Sequence, residues 1–406
     1  MFQYYHLKRS HRETYPFSWF DIIGIRFFDA PDKFFIKTKV RFIAFVLSFY
    51  FLCSVVTYEC FKYDEASIRG LASIIPSGIL GVIGVAKQNI VFRPKNRQRV
   101  AKLIKEIDEL WPSEDQLVEY GKKKILDDWI KKSAIFFRCI FCAALAHAVF
   151  STFIMSPSVL YYKRYVNPNV EIQEPIPMSV IRFECPKALF IVYILYQAVI
   201  SVAFEVICYF SLNIVIGLKI MNIKALFIIL QVDLENIIKE EKLNQIVSNT
   251  DHCYDELKKI VQRHQKILSI CDNLNELYSF TTFLDVTCAA TVMAFYGFAV
   301  ATEVNVVNRV LHALRMASVS LTVLLLTWPA EVLAGANDGV AEAAYSCLWY
   351  LGNARIKSLV LLVMQRAMIP VYLKAFIFSN VVLETYSKLC STAFSYVSVL
   401  SQVHEK

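Results

Sequence analysis

Residues 258–298, KKIVQRHQKILSICDNLNELYSFTTFLDVTCAATVMAFYGF, change in character halfway along their length. The first half is charged and carries apolar residues such as Ile260, Ile267 and Ile270 at near-helical spacing. The second half, from Tyr278, is almost free of charge and is long enough to cross a bilayer. This pattern predicts one helix that begins in water and continues into a membrane.

The composition of the whole chain supports a membrane protein. Only 19% of its 406 residues are charged and 56% are apolar, whereas soluble domains have about a quarter charged residues. A soluble enzyme, a DNA-binding domain and a secreted disulfide scaffold are therefore disfavoured. The apolar residues form seven runs that predict transmembrane helices of an all-α membrane protein, at about 42–60, 68–92, 133–158, 188–218, 278–301, 310–330 and 375–400.

The basic residues predict how these seven helices are oriented. Most of the 43 Lys and Arg residues fall in the N-terminal segment and in the loops on the same side of the membrane. By the positive-inside rule that side is cytoplasmic, so the N-terminus is cytoplasmic and the C-terminus extracellular. This orientation is opposite to that of a G-protein-coupled receptor, and the DRY and NPxxY stretches of that class are missing.

The cytoplasmic segments are predicted to fold rather than to serve as simple linkers. Residues 98–132 predict a helix, a break at Trp111-Pro112-Ser113 and a second charged helix, and residues 358–363 predict a short helix. Packed helices below a membrane suggest oligomerisation. The predicted segments are a cytoplasmic N-terminal segment, a six-helix ligand-binding bundle, a cytoplasmic anchor segment, and a pore-lining helix with its tail, at 1–41, 42–330, 331–374 and 375–406.

The fifth run resembles the fifth helix of insect odorant receptors, which carries a similar RHQ-x-IL pattern followed by an FS-like turn. Residues 344–350, AYSCLWY, and the run from Leu383 through 393–400, AFSYVSVL, resemble the end of the same family. The family often has a TAG-type turn before its last helix, where this chain has Lys374-Ala375-Phe376. That substitution leaves the geometry of the turn open.

The resemblance implies a ligand-gated, non-selective cation channel, formed as a heterotetramer with the odorant co-receptor in the membrane of sensory neuron dendrites. Residues 219–276 are shorter than the matching co-receptor segment, so this chain resembles a ligand-tuning subunit. Its partners would be the co-receptor, a small volatile and membrane lipid; no enzyme activity, cofactor, metal or nucleic acid is expected. A gustatory-type channel and a metabotropic seven-helix receptor are the alternatives.

The family places its volatile in the outer half of the bundle, where apolar and aromatic walls with a few polar groups are expected. For each of these residues, ordinary helix packing is the alternative interpretation. Counting from the extracellular ends of helices two to six gives Ile75, Ile79, His147, Phe150, Phe153, Tyr193, Tyr196, Gln197, Phe295, Tyr296, His312 and Met316.

The last helix would line the pore. Val399 occupies the position of the family's hydrophobic constriction, flanked by Tyr396 and Gln402, and a ring of such residues closes a pore by dewetting. The alternative is an ordinary Val that faces lipid or a neighbouring helix. Glu384 and Lys388 are one turn apart and are expected to form a pair; the alternative is that they face a water-filled vestibule.

Charged and cysteine residues inside the apolar runs call for separate interpretations. Charges in a bilayer are costly, so Glu205, Asp285 and Arg315 are expected to hold the bundle together, with Arg315 as the partner of one of the two acids. Whether Cys60 and Cys185 form a disulfide is left open, as is whether the Gly78, Gly81 and Gly84 stripe serves packing or ligand space.

Overall fold

The computed structural model describes residues 68–91, 93–112, 122–150, 210–237, 250–304, 306–376 and 379–404, with a few isolated positions between them. These ranges are almost entirely helical, apart from one two-stranded antiparallel sheet. In chain order the elements are α1 (Ile68–Val91), α2 (Pro94–Leu110), α3 (Lys122–Val149), α4 (Ser211–Ile237), α5 (Thr250–Thr302), α6 (Val306–Ser346), the 3-10 helix Trp349–Leu351, α7 (Ala354–Ala367), β1 (Leu373–Ala375), β2 (Ser379–Val381) and α8 (Leu383–His404).

The helices confirm the predicted all-α membrane fold. The second to seventh predicted spans each overlap one of them, whereas the first span lies almost wholly outside the described residues. Within the described part of the chain, four helical stretches are long and apolar enough to cross a bilayer: Lys124–Val149, Leu212–Ile237, Asp251–Thr302 and Asn308–Ser346.

Helices α5 and α6 are much longer than a bilayer is thick. Their 53 and 41 residues correspond to about 80 Å and about 60 Å, against a hydrocarbon core of about 30 Å. The predicted continuation of the fifth span into a charged helix is therefore confirmed. Helix α6 also runs through Pro329 without ending, so the segment boundary predicted at residue 330 falls inside a continuous helix.

The largest hydrophobic core lies at one end of the bundle, which we call the base. It is formed by α2, α7, the sheet and the adjoining parts of α4, α5 and α6, with fully buried side chains such as Val100, Leu230, Ile267, Val340 and Val360. The predicted break after α2 is present, because the N–H of Trp111 bonds back to Asp108 and Pro112 follows.

The predicted start of the last span at residue 375 is wrong. Ala375 ends β1 and pairs with Ser379 of β2, and α8 begins only at Leu383. The turn between the strands requires a left-handed backbone at Phe376, whose φ is 54°. That conformation interrupts a helix and costs about 1–3 kcal/mol for a residue other than glycine.

Contacts with α5 hold Phe376 in this conformation. Its N–H donates to the carbonyl oxygen of Ser279 at 3.2 Å, and its ring lies 5.9 Å from that of Phe280 and 6.3 Å from that of Phe283. A left-handed turn therefore stands at the position of the family's TAG-type turn, although Phe occupies it.

Candidate ligand-binding site and pore-lining helix

Four of the twelve predicted ligand-binding residues meet towards the outer end of the bundle, the end at which α5 and α6 join. The rings of Tyr296 on α5 and His312 on α6 are 6.2 Å apart. Met316 of α6 and Ile79 of α1 pack against the apolar cluster that contains Tyr296 and Val319. Three helices thus supply a compact site of aromatic and apolar side chains, as expected for a small-molecule pocket.

Helical periodicity explains why these residues converge. Ala289, Val292, Met293 and Tyr296 recur at intervals of three or four residues and form one buried face of α5. On α6 the buried residues His312, Arg315 and Val319 follow the same spacing. Because α5 and α6 are joined by a short turn, their buried faces meet.

The remaining predicted ligand-binding residues do not belong to this cluster within the described part of the chain. Phe150 and Tyr196 are each 41% exposed, too open for the wall of a closed pocket. Half-buried side chains are found at Ile75, His147 and Phe295. Three of the predicted positions, Phe153, Tyr193 and Gln197, lie outside the described residues.

The expected ion pair of Arg315 is not found among the described residues. Asp285 instead pairs with Lys87 of α1 at 2.5 Å, and both side chains are 99% buried. Lys87 also donates to Asn213 of α4 at 3.2 Å, so the pair ties together α1, α4 and α5. Asp285 therefore holds helices of the bundle together as expected, but its partner is Lys87 and not Arg315. Glu205, the other acid considered, lies outside the described residues.

The depth of each residue in the bundle explains this pairing. Asp285 lies 17 residues before the end of α5 and Lys87 lies 19 residues after the start of α1, about 26 Å and about 28 Å from the outer end. Arg315 lies nine residues into α6, at a depth of only about 14 Å. Asp285 and Lys87 are therefore level with each other, and Arg315 is not.

Two polar side chains of α6 remain unsatisfied in the outer part of the bundle. The side chains of His312 and Arg315 are 6% and 7% exposed. Buried atoms of both, Nδ1 of His312 and Nη2 of Arg315, have no hydrogen-bond partner in the part of the chain that the structure describes. Buried polar groups are nearly always paired, so two neighbouring exceptions mark this place as unusual.

The apolar site adjoins α8, the predicted pore-lining helix. A Cβ added to Gly297 would lie 2.8 Å from Val397 Cγ2 and 3.6 Å from Met316 Sδ. Only glycine therefore lets α8 approach α5 so closely beside Met316. Nearer the base, the hydroxyl groups of Ser320 on α6 and Tyr386 on α8 are 2.6 Å apart. Helix α8 is thus held against α5 at Gly297 and against α6 at Ser320.

The predicted pore residues lie on the exposed side of α8. Val399 and Tyr396 are 56% and 51% exposed, and Gln402 is also exposed. Three-residue spacing places Tyr396, Val399 and Gln402 near one another on the helix surface. The predicted pair of Glu384 and Lys388 is confirmed, with an N–O distance of 2.7 Å and both side chains exposed.

The RHQ motif of α5 makes polar contacts inside the base. Arg263 pairs with Asp233 of α4 at 2.5 Å, and His264 Nε2 lies 2.9 Å from Asn337 Oδ1 of α6. The amide nitrogen of Asn337 donates in turn to the carbonyl oxygen of Ile369, just after α7, at 2.8 Å. Burial lowers the pKa of His264, and the bond to Asn337 offsets part of that shift. The neutral imidazole therefore joins three elements of the base.

Sequence reasoning does not single out Lys87, Asn337 or Ser320. Lys87 carries a usable signal, because it is a cation inside an apolar run at the depth of Asp285. Asn337 and Ser320 carry no comparable signal, since isolated small polar residues are common in long membrane helices.

Comparisons with known proteins agree with these features. The family model described as 7tm Odorant receptor matches residues 90–394. Odorant receptor 67c of Drosophila melanogaster is 26% identical over 35% of this chain and 35% of its own length. Odorant receptor 85c of the same organism is 26% identical over 37% of this chain and 39% of its own. The chain thus matches little more than a third of the length of these relatives.

Solved structures extend the likeness to the whole fold. The insect olfactory receptor OR5 from Machilis hrabei, solved in complex with eugenol, has a TM-score of 0.78 and 15% identity and covers 99% of this chain and 100% of its own. A second structure of the same receptor has a TM-score of 0.74 and 14% identity. At this level of identity the likeness bears on the fold alone.

Proposed function

Because the chain belongs to the seven-transmembrane odorant receptor family, a family of receptors and not of enzymes, we propose that it is the odorant-binding subunit of a ligand-gated, non-selective cation channel. A small volatile binds at the outer site around Tyr296, His312 and Met316. The odorant co-receptor completes the channel, and the last helix of each subunit lines its pore. The complex resides in the cell membrane of sensory neuron dendrites, with its N-terminus in the cytoplasm.

The observation that carries the proposal is the direct contact between the outer site and α8. Met316 belongs to the site, and it lies beside Gly297, against which Val397 of α8 packs. Leu389 and Ala393 of α8 belong to the same buried cluster as Tyr296, so a ligand that displaces side chains of this site acts on the pore-lining helix without an intermediate element. The Ser320–Tyr386 hydrogen bond keeps α6 and α8 together below this contact.

The exposed side of α8 supports a pore formed by several subunits. Tyr396, Val399 and Gln402 combine aromatic, apolar and polar side chains on a surface that a single chain leaves uncovered. Around a central axis, Val399 from each subunit forms a ring narrow enough to exclude water when closed.

The base carries a second uncovered surface, which supports assembly below the membrane. Apolar side chains around α7 and the end of α6 are 50–71% exposed, although the base itself is well packed. Such a cluster on a water-facing domain favours contact with other subunits. It includes Tyr345, Tyr350, Leu361, Leu362 and Met368.

Electrical recording in cells that express this chain with and without an odorant co-receptor tests the function. With the co-receptor, a volatile panel is expected to evoke a cation current that survives inhibition of G proteins. A current that requires G proteins, or that is unchanged without the co-receptor, would contradict the proposal. The second outcome would favour a gustatory-type channel.

The gate is tested separately with Val399→Ala. A smaller side chain widens and wets the constriction, so the resting current is expected to rise. Val403→Ala serves as a matched control, since Val403 is equally exposed at 55% but lies outside the predicted constriction. If the two variants behave alike, Val399 is not the gate.

A further inference from the structure

The outer site contains the charged side chain of Arg315, a group that a purely apolar pocket would lack. Arg315 is 93% buried, yet among the described residues its Nη2 atom has no hydrogen-bond partner and no carboxylate pairs with it. Arg stays charged in proteins, and a buried charge without a partner costs several kcal/mol. A group that supplies acceptor oxygens at this point would remove much of that cost.

A second buried polar group lies one turn away. His312 is three residues before Arg315 on the same face of α6, and its Nδ1 atom is also unpartnered. The two side chains do not bond to each other through these atoms, because Nδ1 of His312 and Nη2 of Arg315 both lack a partner among the described residues. In the neutral tautomer that carries its proton on Nδ1, His312 is a donor at this atom, as Arg315 is at Nη2. Both can then approach one acceptor.

The surroundings of Arg315 argue against a lipid headgroup as its partner and, among the described acids of the bundle, against Asp285. A side chain that reached outwards to lipid headgroups would be exposed, and Arg315 is not. Asp285, the acid of α5 inside the bundle, is held by Lys87 about 12 Å deeper along the bundle. The depth of Arg315, about 14 Å from the outer end of α6, is that of the outer site.

We propose that Arg315 and His312 recognise an oxygen acceptor on the ligand, so that this receptor binds small volatiles that carry a carbonyl or carboxylate group. Arg315 donates to the ligand oxygen through Nη2, and His312 adds a contact from the same side. Tyr296, whose ring faces His312, and Met316 enclose the hydrocarbon part of the ligand. The inference rests on the proposed function and adds the chemical class of its ligand.

The test compares four ligands of equal chain length: hexanoic acid, hexanal, hexanol and hexane. Current is recorded against ligand concentration in cells that contain the co-receptor. The unmodified receptor is expected to respond to the acid or the aldehyde at a concentration at least about tenfold lower than to hexane, as a hydrogen bond to a charged group predicts. A stronger response to the acid identifies a carboxylate site, and a stronger response to the aldehyde identifies a carbonyl site.

Arg315→Met keeps the length of the side chain and removes its charge and donors. We expect it to raise the half-maximal concentration of the preferred oxygenated ligand about tenfold or more and to leave or improve the hexane response. The half-maximal concentration for Arg315→Lys should lie between those of the unmodified receptor and Arg315→Met, because Lys retains the charge but not the planar guanidinium. Arg309→Met is the matched control, since Arg309 is exposed and bonds to the backbone of Glu303.

Failure of the inference and failure of the function are distinguishable. A receptor that responds to hexane as well as to the acid and the aldehyde, or an Arg315→Met variant that preserves their ratio, overturns the inference and leaves the proposed function standing. A receptor that answers no volatile with the co-receptor present contradicts the function itself. If Arg315→Met does not reach the membrane, the same comparison is made with His312→Phe and Arg315→Lys. In each variant the half-maximal concentration of the oxygenated ligand is compared with that of hexane.

Discussion

The base and the outer end of the bundle differ in the partners that they provide for buried polar groups. In the base, buried His264 bonds to buried Asn337, and half-buried Arg263 pairs with Asp233. At the outer end, Arg315 keeps a buried nitrogen that has no hydrogen-bond partner among the described residues. Because His264, Asn337 and Arg315 are all buried, exposure to solvent does not explain the contrast. The difference lies in whether the chain supplies its own partners.

This contrast separates stability from recognition. A fully satisfied polar network favours one arrangement of the helices that share it, because every alternative leaves a buried group unpaired. An unsatisfied site has the opposite property, since its most stable arrangement is reached only when another molecule binds. The base is therefore suited to hold the helices in place, and the outer end is suited to change its arrangement when a ligand binds.

The largest effect is expected from Asp285→Ala, which leaves the buried ammonium of Lys87 without the carboxylate that neutralises it. Breaking such a pair costs about 3–5 kcal/mol, so surface expression and the thermal stability of the purified protein should both fall sharply. The double variant Lys87→Met with Asp285→Leu should recover most of the loss. Arg315→Met is the matched comparison, because it removes a charge that has no partner and should leave stability unchanged or raised. Equal losses in both cases would contradict the contrast.

A smaller loss is expected from Asn337→Ala in the base. The change removes the partner of His264 and frees the carbonyl of Ile369, and a buried polar group left without a partner costs about 1–3 kcal/mol. Thermal unfolding followed by size-exclusion chromatography measures the change. Gly335→Ala on the same helix is the control, since an added Cβ there meets no atom within 4 Å. An unchanged Asn337→Ala variant would show that the network contributes nothing.

Gly297→Ala tests the contact between the outer site and α8. The added methyl group lies 2.8 Å from Val397 Cγ2, and overpacking of this kind costs about 1–3 kcal/mol. Because the strain falls between α5 and α8, we expect a changed half-maximal odorant concentration or a changed resting current. Val397→Ala should relieve the strain in the double variant. Normal currents in Gly297→Ala would argue against the proposed coupling.

The smallest effect is a pH dependence of the base. His264 lies 14 residues before the predicted fifth span, and burial lowers its pKa in the folded protein. The unfolded chain therefore takes up a proton first as pH falls. Stability from the neutral ring is fully present above pH about 6.5 and is lost as pH drops towards the lowered pKa. His264→Gln should flatten the stability curve measured in this window; an unaltered curve would contradict the assignment.

The sequence predicts the helices of this fold better than their ends. Long apolar runs locate six spans, and the periodicity around Ile260 and Ile267 predicts that α5 extends into water. The start of α8 lies eight residues after the predicted one. Residues 375–378 are all apolar, and an apolar residue of a strand, such as Ala375, cannot be told from one of a membrane helix by its hydrophobicity. Hydrophobicity alone cannot separate these cases when the strand is buried.

The site is predictable only in part for a related reason. Counting residues from a helix end gives depth, and depth is enough to predict that Tyr296, His312 and Met316 lie near one another. Counting does not give the direction of a side chain, so it also selects Phe150, which is exposed. In a membrane helix, apolar residues cover the lipid-facing side as well as the packed side, and polarity no longer distinguishes them.

The uninterrupted length of α5 has a mechanical consequence. His264 and Tyr296 are 32 residues apart on one helix, which separates them by about 48 Å. A rigid rod held at His264 amplifies small rotations, so a tilt of about three degrees moves Tyr296 by about 2.5 Å. We therefore expect α5 to pass a ligand-sized displacement at Tyr296 to the base as a rotation of only a few degrees. The buried hydrogen bond between His264 and Asn337 lies where that rotation would be centred.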